Sequence, residues 1–99
     1  MKRLLMISVA GALAVAASPA AATGKMSCDA PKASWKSIDA LQAKLKKDGW
    51  KLRKAKVDGG CYEVYGTDPK GRSVEAYFHP VSFKTLLISR RGQVLFKAK

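Results

Sequence analysis

The stretch that decides the fold runs from Gly49 to Pro80 and reads Gly-Trp-Lys-Leu-Arg-Lys-Ala-Lys-Val-Asp-Gly-Gly-Cys-Tyr-Glu-Val-Tyr-Gly-Thr-Asp-Pro-Lys-Gly-Arg-Ser-Val-Glu-Ala-Tyr-Phe-His-Pro. Apolar and polar side chains alternate along three segments of it, which is typical of strands with one buried face. The predicted strands are 50–57, 61–67 and 72–79. Turn-forming residues separate them at 58–60 and 68–71. Because such short turns join antiparallel neighbours, the stretch predicts an antiparallel sheet.

An amphipathic helix is predicted immediately before this stretch. We expect Ser34 to be its N-cap and Gly49 to end it in a left-handed conformation. A further hairpin is predicted after it, with strands 84–89 and 93–96 on either side of a turn at 90–92. The chain therefore predicts an α+β fold in which one N-terminal helix packs on a three- to five-stranded antiparallel sheet.

The predicted core combines the apolar stripe of the helix with one face of the sheet. Its members are Trp35, Ile38, Leu41, Leu45, Trp50, Leu52, Tyr62, Val64, Val74, Ala76 and Phe78. Since side chains alternate along a strand, the other face carries what we call the outer ridge, Glu63, Tyr65, Glu75 and Tyr77. We expect the ridge to point outward. Cross-strand pairing alone would explain it, and a partner-binding surface is the sharper alternative.

The first 22 residues have the pattern of a secretory signal peptide. Met1-Lys2-Arg3 is positively charged, 4–17 is apolar, and Ala20-Ala21-Ala22 offers small residues for cleavage. A helix over 4–17 would span about 21 Å, short of the ~30 Å hydrocarbon core, which disfavours an uncleaved anchor. The residues before Cys28, Lys25-Met26-Ser27, do not resemble a lipidation site. We predict cleavage after Ala22, a periplasmic or secreted location, and no transmembrane segment in the mature chain.

Cys28 and Cys61 are the only cysteines. An even number in an oxidising compartment favours a disulfide, with free thiols and a metal or redox role as the alternatives. No Cys-x-x-Cys motif supports redox chemistry, and zinc needs more ligands than these two and the single His79. The predicted organisation is therefore a signal peptide at 1–22, an N-terminal segment at 23–33 tethered by the disulfide, and one domain at 34–99.

The chain is strongly basic, with a formal net charge of +12, or +10 once Lys2 and Arg3 leave with the signal peptide. Seven cations, which we call the basic run, crowd the helix end and first strand: Lys44, Lys46, Lys47, Lys51, Arg53, Lys54 and Lys56. Export argues against nucleic acid as their partner, as does the lack of a nucleic-acid-binding motif. Anionic lipid, polysaccharide or an acidic protein fits better, and a solvated basic face is the simplest interpretation.

The sequence offers no constellation typical of an enzyme. His79 is the only imidazole, and we interpret it as a turn residue because its local sequence supplies no nucleophile or orienting carboxylate. Glu63 and Glu75 lie on one predicted face and could face each other across the second and third strands, an arrangement that can do acid-base work. In so basic a chain they are better explained as ion-pair partners of Lys51 and Arg53. We predict no enzymatic activity, no metal and no cofactor.

Several elements in order resemble the PepSY family of small exported domains. They are Trp35, the Gly49–Trp50 boundary, Gly60-Cys61-Tyr62-Glu63-Val64, the Gly71 turn and the strand that ends at Pro80, and the resemblance covers residues 28–81. In this family the third strand commonly ends in Asp-Pro-x-Thr-Gly, where this chain has His79-Pro80-Val81-Ser82-Phe83. Loss of the aspartate and the glycine predicts a wider or differently shaped turn.

The resemblance implies a role in binding. PepSY domains occur in the propeptides of thermolysin-like metalloproteases and in membrane-tethered envelope proteins, which implies that they restrain peptidases. We therefore predict a non-catalytic exported binding module, in its specific form a modulator or inhibitor of an envelope peptidase. Its partner would be an envelope protein or a second copy of the chain. The partner would bind the outer ridge or the hairpin 84–96. The hairpin is a candidate because its apolar residues must complete the core or meet another chain: Leu86, Leu87, Ile88, Val94 and Leu95. The alternative is a cationic envelope-surface protein that binds anionic lipid or polysaccharide.

Overall fold

The computed structural model describes residues 26–99 as one helix and one five-stranded sheet. The elements are a 3-10 turn at Lys32–Ser34, helix α1 at Ile38–Lys47, and strands β1 Lys51–Asp58, β2 Cys61–Thr67, β3 Ser73–Phe78, β4 Thr85–Arg90 and β5 Gln93–Lys97. Consecutive strands pair antiparallel in the order β1-β2-β3-β4-β5, so β1 and β5 are the edges. The predicted α+β fold is confirmed. The predicted signal peptide at 1–22 lies outside the described residues.

Helix α1 begins later than the sequence predicts, and Ser34 as its N-cap is wrong. Ser37 caps the helix instead, since its Oγ accepts a hydrogen bond from the Ala40 N–H at 3.0 Å. Lys36 is held outside the helix by two long-range hydrogen bonds: its N–H donates to the Pro80 carbonyl, and its carbonyl accepts from the Tyr62 hydroxyl. Tertiary contacts therefore override the cap that local sequence favours at position 34.

The core lies between α1 and the sheet face that α1 covers, which we call the helix face. Its buried members are Leu41, Leu45, Tyr62, Val64, Ala76 and Phe78, and partly buried side chains packed against them include Trp35, Ile38, Trp50 and Leu52. Val74, the last predicted member, is also buried. Two edge-to-face aromatic contacts, Trp35 with Tyr62 and Trp50 with Phe78, join the rim to the centre. The sequence predicted this side of the molecule correctly.

The opposite side of the sheet, the back face, is covered at one end by the N-terminal segment. A disulfide joins Cys28 to Cys61 with Cα atoms 5.2 Å apart, and the Cys28 N–H donates to the Gly59 carbonyl. A Cβ at Gly60 would stand 2.2 Å from the Cys28 carbonyl oxygen, so only glycine lets the segment lie this close. Beneath it, Cys61, Tyr77 and Leu87 form a second buried cluster. The disulfide prediction is confirmed.

The turn after β3 is closed by His79. Its Nδ1 accepts a hydrogen bond from the Val81 N–H at 3.1 Å, and its main chain bonds both Phe83 and Lys84. Phe83 adopts a positive φ of 63° and still packs against the core. The imidazole thus bonds the turn's own backbone as an aspartate would, which confirms His79 as a turn residue. Within residues 26–99, no helix is long and apolar enough to cross a membrane.

Candidate functional site

The structure corrects the predicted outer ridge. Glu63 and Tyr77 are fully buried, so the expectation that all four side chains point outward is wrong for these two. Both side chains lie on the back face, as alternation requires. This end of the back face is covered, however, because the N-terminal segment and Leu87 pack around Tyr77. Tyr65 and Glu75, nearer the other end, remain partly exposed. An intact four-residue ridge is therefore not available to a partner.

Glu63 is a buried carboxylate with poor compensation. Lys56 Nζ lies 3.7 Å from its Oε1, and within residues 26–99 neither carboxylate oxygen makes a hydrogen bond of good geometry. Burial raises the pKa of Glu63, and the hydroxyls of Tyr65 and Tyr77 and the charge of Lys56 offset part of that rise. The predicted ion-pair partners of Glu63, Lys51 and Arg53, are wrong, since the partner is Lys56.

The register also separates the two glutamates. Glu63 lies opposite Tyr77, and Glu75 lies opposite Tyr65, so the carboxylates are diagonal neighbours and not a facing pair. Glu63 has no access to a substrate because its side chain is fully buried. Burial also raises the pKa of Tyr65 to about 12, helped by the nearby charge of Glu63, and the phenol stays protonated at physiological pH. The tyrosines here are hydrogen-bonding groups.

The basic run is divided between different surfaces. Lys44 pairs with Asp48 along the exposed side of α1, at 2.8 Å. Lys54 and Lys56 are instead opposite β2 residues of the back face, and both ammonium groups lie over the Tyr65 ring, 5.4 and 5.8 Å from its centre. The sheet stands between these groups. The seven cations therefore do not form a single anion-binding face.

A different group of cations meets at the open end of the back face. We call it the arginine groove, and its lining residues are Arg53, Tyr65, Ser73, Val74, Glu75, Ser89, Arg90 and Arg91. Arg53 comes from the bulge in β1, while Arg90 and Arg91 come from the end of β4 and the β4–β5 turn. Sequence reasoning identified Arg53 as part of the basic run and as an ion-pair partner of the glutamates, and it missed Arg90 and Arg91. The signal that could have pointed to Arg90 and Arg91 is charge, because residues 76–99 contain five cations and no acidic residue.

Strand β5 is the exposed apolar edge of the sheet. All five of its residues are exposed, including Val94, Leu95 and Phe96 at 55%, 37% and 45%. The hairpin leucines and isoleucine of β4, by contrast, pack against the two buried clusters. The first alternative predicted for this hairpin is therefore confirmed for β4, which completes the core, while contact of β5 with another chain stays a prediction.

Comparison with protein families confirms the resemblance seen in the sequence. The family model PepSY_2, described as the peptidase propeptide and YPEB domain, matches residues 6–87 of the 99. Neither the curated proteins nor the solved structures include a match. The family match spans α1, β1, β2 and β3 and reaches into β4, so it covers the helix, most of the sheet and the disulfide. The chain belongs to the PepSY_2 family of peptidase propeptide and YPEB domains.

Proposed function

We propose that this protein is a non-catalytic exported module that restrains an envelope peptidase by accepting an extended segment of it along β5. The observation that carries the proposal is the open apolar edge, where Val94, Leu95 and Phe96 stand exposed on a strand with no neighbour on one side in the described sheet. An edge strand presents backbone N–H and C=O groups that a partner strand can bond. Family membership supports the peptidase as partner, and the disulfide supports a compartment outside the cytoplasm.

The two edges of the sheet differ in how they are protected. β1 carries Lys51, Arg53, Lys54 and Lys56 within its eight residues, and both edges are bulged, β1 between Leu52 and Lys54 and β5 between Val94 and Phe96. Charge and bulges both oppose the pairing of edge strands, so charge is what distinguishes the two edges. β5 has only Gln93 and Lys97 as polar residues, both at its ends. Pairing with a partner is therefore favoured at β5.

Charge favours an acidic partner over a second copy. The cations of residues 76–99 are Lys84, Arg90, Arg91, Lys97 and Lys99. Pairing two β5 strands would bring two such sets together, and like charges placed close across an interface are destabilising. An extended segment with acidic residues beside apolar ones would satisfy both the cations and the exposed side chains. We therefore place an acidic, apolar loop of the peptidase on β5.

Two lysines on β5 test this mode of binding. The protein carrying Leu95→Lys and Phe96→Lys should lose at least about tenfold in affinity for the peptidase, since charge on an edge opposes strand addition. Val57→Lys is the matched control, because Val57 is 51% exposed on the other edge and should tolerate the change. Affinity is measured by calorimetry with the purified peptidase that cross-links to the protein in the envelope, and peptidase inhibition is assayed in parallel.

Salt separates this mode from attraction between charged surfaces. Strand addition should lose only the part of its affinity that the acidic residues of the partner contribute when ionic strength rises from about 0.05 to 0.3 M, whereas association driven by charge alone weakens strongly over that range. Binding that disappears with salt, together with equal binding to anionic vesicles without protein, would reject the β5 proposal. It would favour the cationic envelope-surface alternative.

A further inference from the structure

The arginine groove is an anion-binding arrangement that the proposed function does not use. Three exposed arginines, Arg53, Arg90 and Arg91, line it, and none forms an ion pair within residues 26–99. Glu75 is the one carboxylate in the lining, so the groove keeps two net positive charges. Guanidinium groups bond a planar carboxylate through two parallel N–H donors, which makes them selective for that group.

Ser89 is an independent observation that points to a polar ligand at this place. It is 3% exposed, and within the described residues its hydroxyl has no hydrogen-bond partner. A buried hydroxyl without a partner is destabilising, whereas alanine at the same place would carry no such cost. Ser89 lies between the arginine groove and a second, more apolar cavity lined by Leu87, Gly92, Val94 and Lys97. A ligand that reached both cavities would also supply the partner for this hydroxyl.

Arg91 has a backbone conformation that an arginine rarely adopts. Its φ is 51°, and Gly92 follows at 82°, so the two residues form a hairpin turn with positive φ at both positions. Such turns favour Asn, Asp or Gly at the first position, because a larger side chain is strained there. Strain at a solvent-exposed turn is often retained where the side chain has a role. Arg91 lines the groove, and binding an anion there would supply such a role.

We propose that the arginine groove binds the C-terminal carboxylate of a peptide whose last residue is apolar. The guanidinium groups and the Ser89 hydroxyl hold the carboxylate, while the last side chain enters the neighbouring cavity against Leu87 and Val94. In a terminal residue the carboxylate and the side chain share one Cα, which suits two cavities that share one residue. Along an extended internal segment, successive side chains point to opposite sides, so an acidic residue and its neighbour would not both reach.

This site goes beyond the proposed function, because it lies on the back face and binds a chain end through side chains, whereas strand addition uses the backbone of β5; the two share only Val94 and Lys97 of that strand. Peptidases release products that have new chain ends. A product bound in the arginine groove would therefore either compete with the association at β5 or reinforce it. Each proposal can fail alone. Loss of chain-end binding in a protein that still binds the peptidase would reject only the groove.

The test is a titration of the purified, oxidised, isotope-labelled protein with a short peptide that ends in leucine, followed by NMR. The free-acid peptide should shift the backbone signals of Ser89, Arg91, Gly92 and Val94, and the same peptide as its C-terminal amide should not. An amidated peptide with an internal glutamate beside leucine should bind at least about fivefold more weakly than the free acid. Equal binding of the amide, tighter binding of the internal glutamate, or displacement by inorganic phosphate at equal concentration would overturn the proposal.

Single substitutions test the named residues, and the melting temperature of each variant shows whether its fold is kept. Arg91→Asn should weaken binding at least fivefold while the protein melts at the same or a higher temperature, because asparagine suits the turn. Ser89→Ala should weaken binding without lowering the melting temperature, and Glu75→Gln should strengthen it by removing the repelling carboxylate. Lys47→Gln, which removes one charge from the far side of α1, is the matched control and should change nothing. Unchanged affinity in Arg91→Asn, or weaker binding in Glu75→Gln, would contradict the assignment.

Discussion

The two faces of the sheet are buried in different ways. The helix face is apolar throughout its buried cluster, whose members come from α1, β2 and β3. The back face has its small apolar cluster at one end, under the disulfide-bonded N-terminal segment, and carries polar side chains elsewhere. Glu63 and Ser89, both buried there, have oxygen atoms without hydrogen bonds within residues 26–99. Stability is therefore concentrated on the helix face, and the back face is where binding chemistry remains available.

This difference follows from what covers each face. An amphipathic helix removes a whole stripe of apolar side chains from water, and each buried side chain contributes about 1.5–3 kcal/mol. The segment over the back face is short, and it is held by a covalent bond and a backbone hydrogen bond from Cys28 to Gly59. Residues beyond its reach, such as Tyr65 and Glu75, keep contact with solvent.

The largest effect should come from the helix face. Leu41 is fully buried in the cluster beneath α1, and Leu41→Ala should lower the free energy of unfolding by about 2–5 kcal/mol, since it leaves a cavity there. Chemical denaturation of the oxidised protein measures the loss. Ala43→Gly, at an exposed position of the same helix, is the control for helix propensity and should cost only about 1 kcal/mol. A Leu41→Ala protein as stable as the parent would show that the stability does not come from this face.

Removing the disulfide should cost no more than the upper end of the range given for Leu41→Ala, and it should act on the back face. With the two cysteines 33 positions apart in the sequence, chain entropy alone predicts a loss of about 3–4 kcal/mol when both are replaced by serine. Amide exchange should rise first in residues 26–28 and around Gly59, while α1 stays protected. Equal loss of protection in α1 and in the N-terminal segment would contradict the separation of the two faces.

The sequence predicted the helix face well because its signals are local. The strand β2 has the predicted bounds, and every predicted core residue is buried or packs against the core. The errors all depend on distant residues. Lys36 is kept out of α1 by Pro80 and Tyr62, and Tyr77 is buried in a cluster that includes Met26 and Cys28. Alternation shows which face a side chain occupies, but it does not show what covers that face.

The arginine groove was hidden from the sequence for the same reason. Its residues come from β1, β2, β3, β4 and the following turn, and only the register of the strands brings them together. A β-bulge between Leu52 and Lys54 shifts the pairing at the place where Arg53 joins the groove. Bulges change which way side chains point and leave little trace in a sequence.

Asp68 provides a third prediction, because it is the well-paired counterpart of Glu63. It is buried at 4% exposure and accepts hydrogen bonds from the N–H groups of Lys70 and Arg72 and from the Arg72 guanidinium. Asp68→Ala should lower the free energy of unfolding by about 1–3 kcal/mol, since two backbone donors lose their acceptor. Asp68→Asn, whose amide oxygen still accepts from the backbone, is the matched control and should lose less.

The pH dependence of Asp68 has a definite sign. Burial alone would raise the pKa of Asp68, but the hydrogen bonds from Arg72 and Lys70 and the charge of Arg72 together lower it. The ionised form is therefore favoured by folding, and its contribution is present above the ordinary value of 3.8 and lost as the pH falls through the lower, folded-state pKa. The difference between the parent and Asp68→Asn should shrink in that acid range. A difference that stays constant there would mean that the charge of Asp68 does not contribute.

The smallest effect, and the one of opposite sign, concerns Glu63. Because burial raises its pKa in the folded protein, folding favours the protonated acid, and the parent should lose stability as the pH rises from 4.5 through the folded-state pKa. Glu63→Gln should remove this loss and be as stable as the parent, or more stable by about 1 kcal/mol, at neutral pH. Lys56, whose side chain is 40% exposed, would lose little as its partner disappears. Urea unfolding between pH 4 and 8 measures the slope.

Lys56→Gln gives the matched test of the same carboxylate. The charge of Lys56 lowers the pKa of Glu63, so its removal should steepen the loss of stability with rising pH in the parent. In the Glu63→Gln background the same substitution should leave the slope unchanged, because no carboxylate remains to respond. If Lys56→Gln changes the slope equally in both backgrounds, the pH dependence arises elsewhere. If Glu63→Gln is destabilising at every pH, the carboxylate is held by better interactions than its 3.7 Å ion pair, and the back face is less strained than its geometry indicates.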